Sequence, residues 1–187
     1  MQKEQIDKEL YKRYLAGDKK AFENLILKYK NHIIYFISTY TKNMQTAEDI
    51  SHDVFVYLLL NKEQYDFHYS FKTYLYMIAK CRALNYIKRE KKISNSNIPY
   101  ESIELQDNDL EERIFQKEKD QMIRNNIKKL KPDYQEVIYL TMFEGFQYKE
   151  VAQIMNKNLG QVKSLLNRAK KKLKKLLESE GCSYDVR

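Results

Sequence analysis

YKEVAQIMNKNLGQVKSLLNRAKKKLKKLL, residues Tyr148–Leu177, is the stretch that decides the fold of this chain. A helix-turn-helix needs a small residue where its helices cross, a turn residue that tolerates positive φ, and an apolar anchor in the second helix. Ala152, Asn156 and Val162 supply these in order. Glycine is usual at such a turn, but Asn tolerates the left-handed region better than most residues. Val151, Ile154, Leu159, Leu165 and Leu166 can then make a small core under helices at about Tyr148–Met155 and Leu159–Leu177. The second helix would present Gln161, Lys163, Ser164, Asn167 and Arg168 near a major groove. There Arg and Lys suit guanine, Asn suits adenine, and Ser is adaptable. Lys170, Lys171, Lys172, Lys174 and Lys175 follow with no acidic residue before Glu178. They can neutralise phosphates, which gives affinity without sequence information. The plainer alternative is a solvated amphipathic helix whose lysines only face water.

Working outward, Pro132-Asp133 opens a short helix through Tyr134–Phe143, since Pro is tolerated in a first turn, and Glu144-Gly145 breaks it. Helical order begins near Asp120. Before it, ISNSNIPYESIELQDNDLEE (93–112) carries Asn, Ser and Pro early and six acidic residues from Glu101 onward, with no helical stripe. That reads as an acidic linker over 93–119. On its far side, Phe22, Leu25, Ile26, Tyr29, Ile33, Ile34, Phe36, Ile37 and Tyr40 follow the i, i+3, i+4 rule. A further helix opens at Thr46, its hydroxyl as cap and Asp49 in its first turn, and carries Ala47, Ile50, Val54, Phe55 and Leu58. Another runs from about Phe71 to Lys88, after the aromatic stretch YDFHYS at Tyr65–Ser70. The expected architecture is all-α: a small helical domain over 1–92, the linker, and a second helical domain with the helix-turn-helix over 120–181.

Composition agrees with that architecture. Among 187 residues there are only four Gly and two Pro, which suits long helices and removes the material for a Gly-rich phosphate loop. A net charge of +8, from 34 Lys and Arg against 26 Asp and Glu, fits a polyanionic partner. Cys81 and Cys182 stand far apart in no ligand-like spacing, so a reducing cytosol is the natural setting. No apolar run approaches the roughly 20 residues that span a bilayer, and MQKEQIDKEL lacks a signal-peptide core. A cytoplasmic protein without membrane insertion is expected. His32, His52 and His68 have no metal-ligand spacing, and no nucleophile elbow is present. No catalysis, cofactor or metal is expected.

Four segments carry a family resemblance. GDKKAFENLILKYK (Gly17–Lys30) and AEDISHDVFVYLL (Ala47–Leu59), then FKTYLYMIAKCRALNYIKREKK (Phe71–Lys92), resemble the first domain of sigma factors of the extracytoplasmic-function (ECF) group, in the sigma-70 family. LKPDYQEVIYLTMFEGFQYKEVAQIMNKNLGQVKSLLNRAKKKL resembles the second domain. The resemblance implies a subunit that binds core RNA polymerase and directs it to promoter DNA, the chemistry belonging to the polymerase. Asp49, His52, Asp53, Phe55 and Leu59 match the polymerase-docking positions, with His52 where the family usually has Gln. The Tyr65–Thr73 loop and the helix after it would grip the single-stranded −10 element, Tyr69, Lys72, Lys80, Cys81, Asn85, Lys88 and Arg89 matching its contact positions. Aromatic stacking plus a cationic track is how unpaired strands are held, each stack worth about 1–3 kcal/mol. Tyr65, Phe67, Phe71 and Tyr74 are further aromatics there and Arg82 a further cation, and Phe71 and Tyr74 read better as core. Lys163, Ser164, Asn167 and Arg168 match duplex −35 contacts, beside Gln161 and Lys171.

Departures from the pattern bear on this reading. Tyr74 stands where Trp is common, and Leu165 replaces a frequent Arg, trading a phosphate contact for packing. Cys81 stands where Asn usually reads a flipped base, on one helix face with Asn85 and Lys88. Cys is the poorer hydrogen-bonding partner. The linker would thread near the RNA exit path or serve as a passive tether. An anti-sigma factor is a further partner class that the resemblance brings in. Two other readings stand beside it: a free-standing helix-turn-helix activator, and a helical decoy that has lost promoter activity.

Overall fold

The computed structural model describes residues 2–94 and 118–179, and the chain divides into two units, Met1–Leu105 and Gln106–Arg187. All regular structure among the described residues is helical. Of the expected linker only 93–94 and 118–119 are placed, as helix ends; the rest lies outside the described residues.

The first unit packs four helices, α1 (Gln2–Leu15), α2 (Lys19–Thr41), α3 (Met44–Leu60) and α4 (Phe71–Ser94). The apolar stripe of α2 is buried from Ala21 through Ile37, and α1, α3 and α4 all pack against this helix. Each Leu, Ile or Phe side chain of that stripe removed from water stabilises the unit by about 1.5–3 kcal/mol. Gly17, at φ +101°, turns the chain into α2, whose N-cap Asp18 accepts the Ala21 N–H at 3.2 Å. Lys42, left-handed at φ 57°, ends it.

Helix α3 begins earlier than Thr46. Asn43, in extended backbone, takes the cap and accepts the Thr46 N–H at 2.9 Å, so Asp49 lies beyond the first turn. Helix α4 begins where Ser70 Oγ accepts the Thr73 N–H at 3.1 Å, and it runs past Lys88 to Ser94. Helix α1 has no counterpart among the expected elements. It is tied down by buried Asp7, which accepts from the Tyr29 hydroxyl and pairs with Lys28 at 2.5 Å.

The second unit contains α5 (Glu118–Lys128), α6 (Pro132–Ile138), α7 (Tyr148–Met155) and α8 (Leu159–Ser179). A π-helical turn, Tyr139–Phe143, continues α6 and agrees with the expected extent of that helix though not with its regular geometry. Helix α8 is the hub, with α5, α6 and α7 against it. Its buried side is Val162, Leu165, Leu166, Ala169, Leu173 and Leu177, and Val137, Ile138, Leu140, Val151 and Ile154 are among the other buried apolar side chains of this unit's core. Leu159 is 36% exposed and stands at the rim, a correction to its expected core place. Buried Gln135 donates to the Lys128 and Leu130 carbonyls, which satisfies acceptors that the end of α5 leaves open.

Candidate nucleic-acid and polymerase interfaces

The turn between α7 and α8 is built as a helix-turn-helix requires. Asn156 is left-handed (φ 51°, ψ 50°), and the Lys157 N–H returns to the Ala152 carbonyl at 2.9 Å. Asn158 then caps α8 reciprocally. Its Oδ1 accepts the Gln161 N–H at 2.8 Å, while Gln161 Oε1 accepts the Asn158 N–H at 2.9 Å. Lys157 pairs with Asp133 at the start of α6 at 3.3 Å.

With one side of α8 buried, the other is fixed in direction. Lys163, Ser164, Asn167, Arg168 and Lys171 are exposed. Ser164, Asn167, Arg168 and Lys171 fall at i, i+3, i+4 and i+7, a single stripe. Gln161 is exposed too, but its carbonyl oxygen serves the cap, so it holds the helix start besides any outward contact. Arg168 Nε reaches only the Ser164 carbonyl, at 3.4 Å, which leaves its guanidinium at the surface. Leu165 is 7% exposed, in keeping with a side chain used for packing.

In the first unit the loop before α4 is braced by its own aromatics. Tyr65 is 3% exposed, stacks on Tyr74 with ring centres 4.9 Å apart, and donates to the Tyr69 carbonyl at 2.8 Å. Tyr65 is therefore scaffold, not a stacking platform, and Phe71 is core at 1% exposure. Burial pushes the phenols of Tyr65 and Tyr74 above their ordinary value. Asp66 Oδ1 accepts the His68 N–H at 2.9 Å, and Phe67 between them sits at φ 62°. Tyr69 is half-buried with its ring edge-on to His68 at 4.6 Å.

Along α4, Cys81, Asn85, Lys88 and Arg89 are exposed, and Asn85 Nδ2 lies 3.7 Å from Cys81 Sγ. The expected common face of Cys81 and Asn85 is thus formed. Lys72 and Lys80 are half-buried, Lys72 with its ammonium 5.8 Å from the Tyr76 ring centre. Arg82 stacks over Tyr57 at 4.8 Å and braces α4 on α3. Sequence reasoning missed Tyr57 in that role; its spacing in α3 gave no signal for it.

Helix α3 turns a second face outward. Asp49, His52 and Asp53 are exposed, with Leu59 at 52% and Leu60 at 75%. A groove of about 540 Å³ lies between this face and α2, lined by Phe22, Ile26, Asp49, His52, Phe55 and Leu59 among others. Phe55 is 7% exposed, so the expectation of a surface contact is corrected: its ring belongs to the core and floors the groove. Among the described residues no three His, Cys, Asp or Glu side chains group as a metal site. No helix among them is long and apolar enough to cross a membrane.

Comparison with known proteins gives both units a family. Residues 25–93 match Sigma-70 region 2, and residues 120–173 match Sigma-70, region 4. RNA polymerase sigma factor YlaC of Bacillus subtilis is 30% identical over 157 residues, covering 83% of this chain and 91% of that protein. The ECF RNA polymerase sigma-E factor of Haemophilus influenzae is 27% identical over 187 residues, covering 95% of this chain and 98% of that one. In fold, the chain is similar to the sigma factor RpoE of Bartonella quintana, solved in complex with the anti-sigma factor NepR. There the TM-score is 0.70 at 22% identity, over 85% of this chain and 98% of that chain. With both regions matched in order, the chain belongs to the sigma-70 family of RNA polymerase sigma factors, in its ECF group.

Proposed function

We infer that this protein is an alternative sigma factor that binds core RNA polymerase and directs promoter-specific initiation through −35 and −10 elements. The observation that carries the reading is the joining of regions 2 and 4 in order on one chain, with the cationic face of α8 turned outward from its own core. A free-standing activator needs the second of these features but not the first.

Residue roles follow from exposure and chemistry. On α8, Arg168, Lys163 and Asn167 would read base edges in the −35 duplex, and Lys171 would meet phosphate. In the first unit Tyr69 and the Cys81, Asn85, Lys88 and Arg89 surface would hold the opened −10 strand, with Lys72 and Lys80 at its edge. Asp49, His52, Asp53 and Leu59 would dock on the polymerase, with Phe55 shaping the groove beneath them. That mixed acidic and apolar surface also suits an anti-sigma partner, which would compete with polymerase for it. The protein would act in the cytoplasm and perform no chemistry of its own.

In vitro transcription with purified bacterial core polymerase, across a fragment library of the source genome, tests the reading. Discrete transcripts that appear only on adding this protein support it. Specific duplex binding with neither core binding nor transcripts would replace it with a free-standing activator, and core binding without initiation would make it a decoy.

A further inference from the structure

Helix α1 reaches the strand-capture loop chiefly through Tyr11. Tyr11 is 0% exposed, and its hydroxyl donates to the Lys62 carbonyl at 3.0 Å. One turn on, the Tyr14 hydroxyl donates to the Leu59 carbonyl at 3.3 Å. The two tyrosines thus take up carbonyls that the end of α3 and the turn after it would otherwise leave without a helical partner.

The Tyr11 ring is the meeting point of the loop aromatics. Its centre lies 4.9 Å from Tyr65, 5.3 Å from Phe71 and 6.2 Å from Phe67. Tyr65 passes this order onward by stacking on Tyr74 and donating to the Tyr69 carbonyl. Phe67 is left-handed, a conformation a bulky residue holds only where its surroundings impose it. Two of those surroundings come from α1: the Tyr11 ring, and the Lys8 ammonium 5.6 Å from the Phe67 ring centre. Helix α1 is itself anchored on α2 by Asp7.

We propose that Tyr11 is a positioning residue for promoter opening: it fixes the Lys62–Tyr69 segment in the shape that receives the −10 strand, without touching DNA. The inference rests on the −10 role proposed above. A purely structural tyrosine would change stability alone. A positioning one changes the opening step while leaving core binding and −35 binding as they are.

The test uses the full chain in holoenzyme, on a promoter carrying 2-aminopurine in its −10 element. Tyr11→Phe removes one donor and keeps the ring. It should slow opening about fivefold, the order of one lost hydrogen bond, and reduce discrimination against a mismatched −10 base. Core affinity and −35 duplex affinity should not change. Lys8→Ala, outside the core, should shift opening in the same direction. If both variants open the promoter at the wild-type rate and with wild-type base preference, the proposal is overturned, whatever their melting temperatures. A wild-type holoenzyme that opens no promoter would instead overturn the functional reading, and this inference with it.

Discussion

Asn158→Ala tests the start of the recognition helix directly. The substitution removes the acceptor of the Gln161 N–H, held at 2.8 Å, and leaves in place the backbone N–H of residue 158 that Gln161 Oε1 accepts at 2.9 Å. Loss of an Asn cap to Ala costs about 1 kcal/mol, within a range of about 0.5–2. In a unit of this small size 1 kcal/mol lowers the melting temperature by about 4–8 °C. Differential scanning calorimetry of the full chain should show the transition of the second unit lowered by that amount and that of the first unit unmoved. Asn158→Asp is the control. It keeps the acceptor and adds a charge favourable to a helix N-terminus, worth about 0.3–1 kcal/mol, so it should melt at or above wild type. The same charge, at the end of α8 that would approach duplex phosphates, should weaken −35 binding. If Asn158→Ala melts like wild type, the reciprocal cap is not holding α8, and the reasoning from it fails.

Gly160→Ala should stabilise the second unit by about 0.5–1 kcal/mol, read as a raised melting temperature, because alanine is the better helix former. Its Cβ would meet only Asn158 Oδ1, at 3.4 Å. Above pH 10 the first unit should lose stability. Burial holds the Tyr11 and Tyr65 phenols above their ordinary value of 10.0, so the unfolded chain releases those protons first. The contribution is complete below pH 10 and falls by up to about 1.4 kcal/mol per pH unit for each tyrosine, measurable as a falling urea midpoint between pH 9 and 11. Arg168→Ala should weaken −35 duplex binding by about 1–3 kcal/mol in a fluorescence anisotropy titration, at unchanged melting temperature. Lys88→Ala with Arg89→Ala should slow promoter opening and leave that duplex affinity as it was; normal opening would refute their assignment.

What the sequence made legible was whatever apolar side chains write at helical spacing. The α2 stripe and, Leu159 apart, the α7 and α8 core are of this kind, and both are formed; the Asn156 turn, legible from residue type instead, is formed too. Helix α1 was not legible because its buried positions are Asp7, Tyr11 and Tyr14, a stripe of polar-tipped residues satisfied by partners far along the chain. The end of α4 was set too early because apolar periodicity stops near Ile87, while KREKK goes on as good helix formers. The π-turn had no signal either. Thr141 bonds back to the Val137 carbonyl at 2.6 Å there, competition with the helical ladder that spacing does not record. Phe55 is a different case: its spacing with Ala47, Ile50, Val54 and Leu58 already placed it inside, and the family pattern drew it to the surface.

The two proposed DNA surfaces differ in what holds them. Helix α8 is packed along its whole length, from Val162 to Leu177, so the direction of Arg168 and Asn167 is settled before any duplex arrives. That suits a target whose shape is also settled. Helix α4 is packed only to Ala83; beyond it no described side chain is buried, and Asn85, Lys88, Arg89, Lys91 and Lys92 stand in solvent. Such a cationic arm follows a strand closely but contributes little to the choice of base, since phosphate contacts carry no sequence information. Choice at the −10 element would then fall to the Tyr65–Ser70 loop, whose fixed points are the Tyr65 stack, the hydrogen-bonded Asp66 turn and the left-handed Phe67. With Cys81 in place of a better hydrogen-bonding residue on the arm, the loop would carry more of that choice, and the helix that braces it would be part of how this protein reads a promoter.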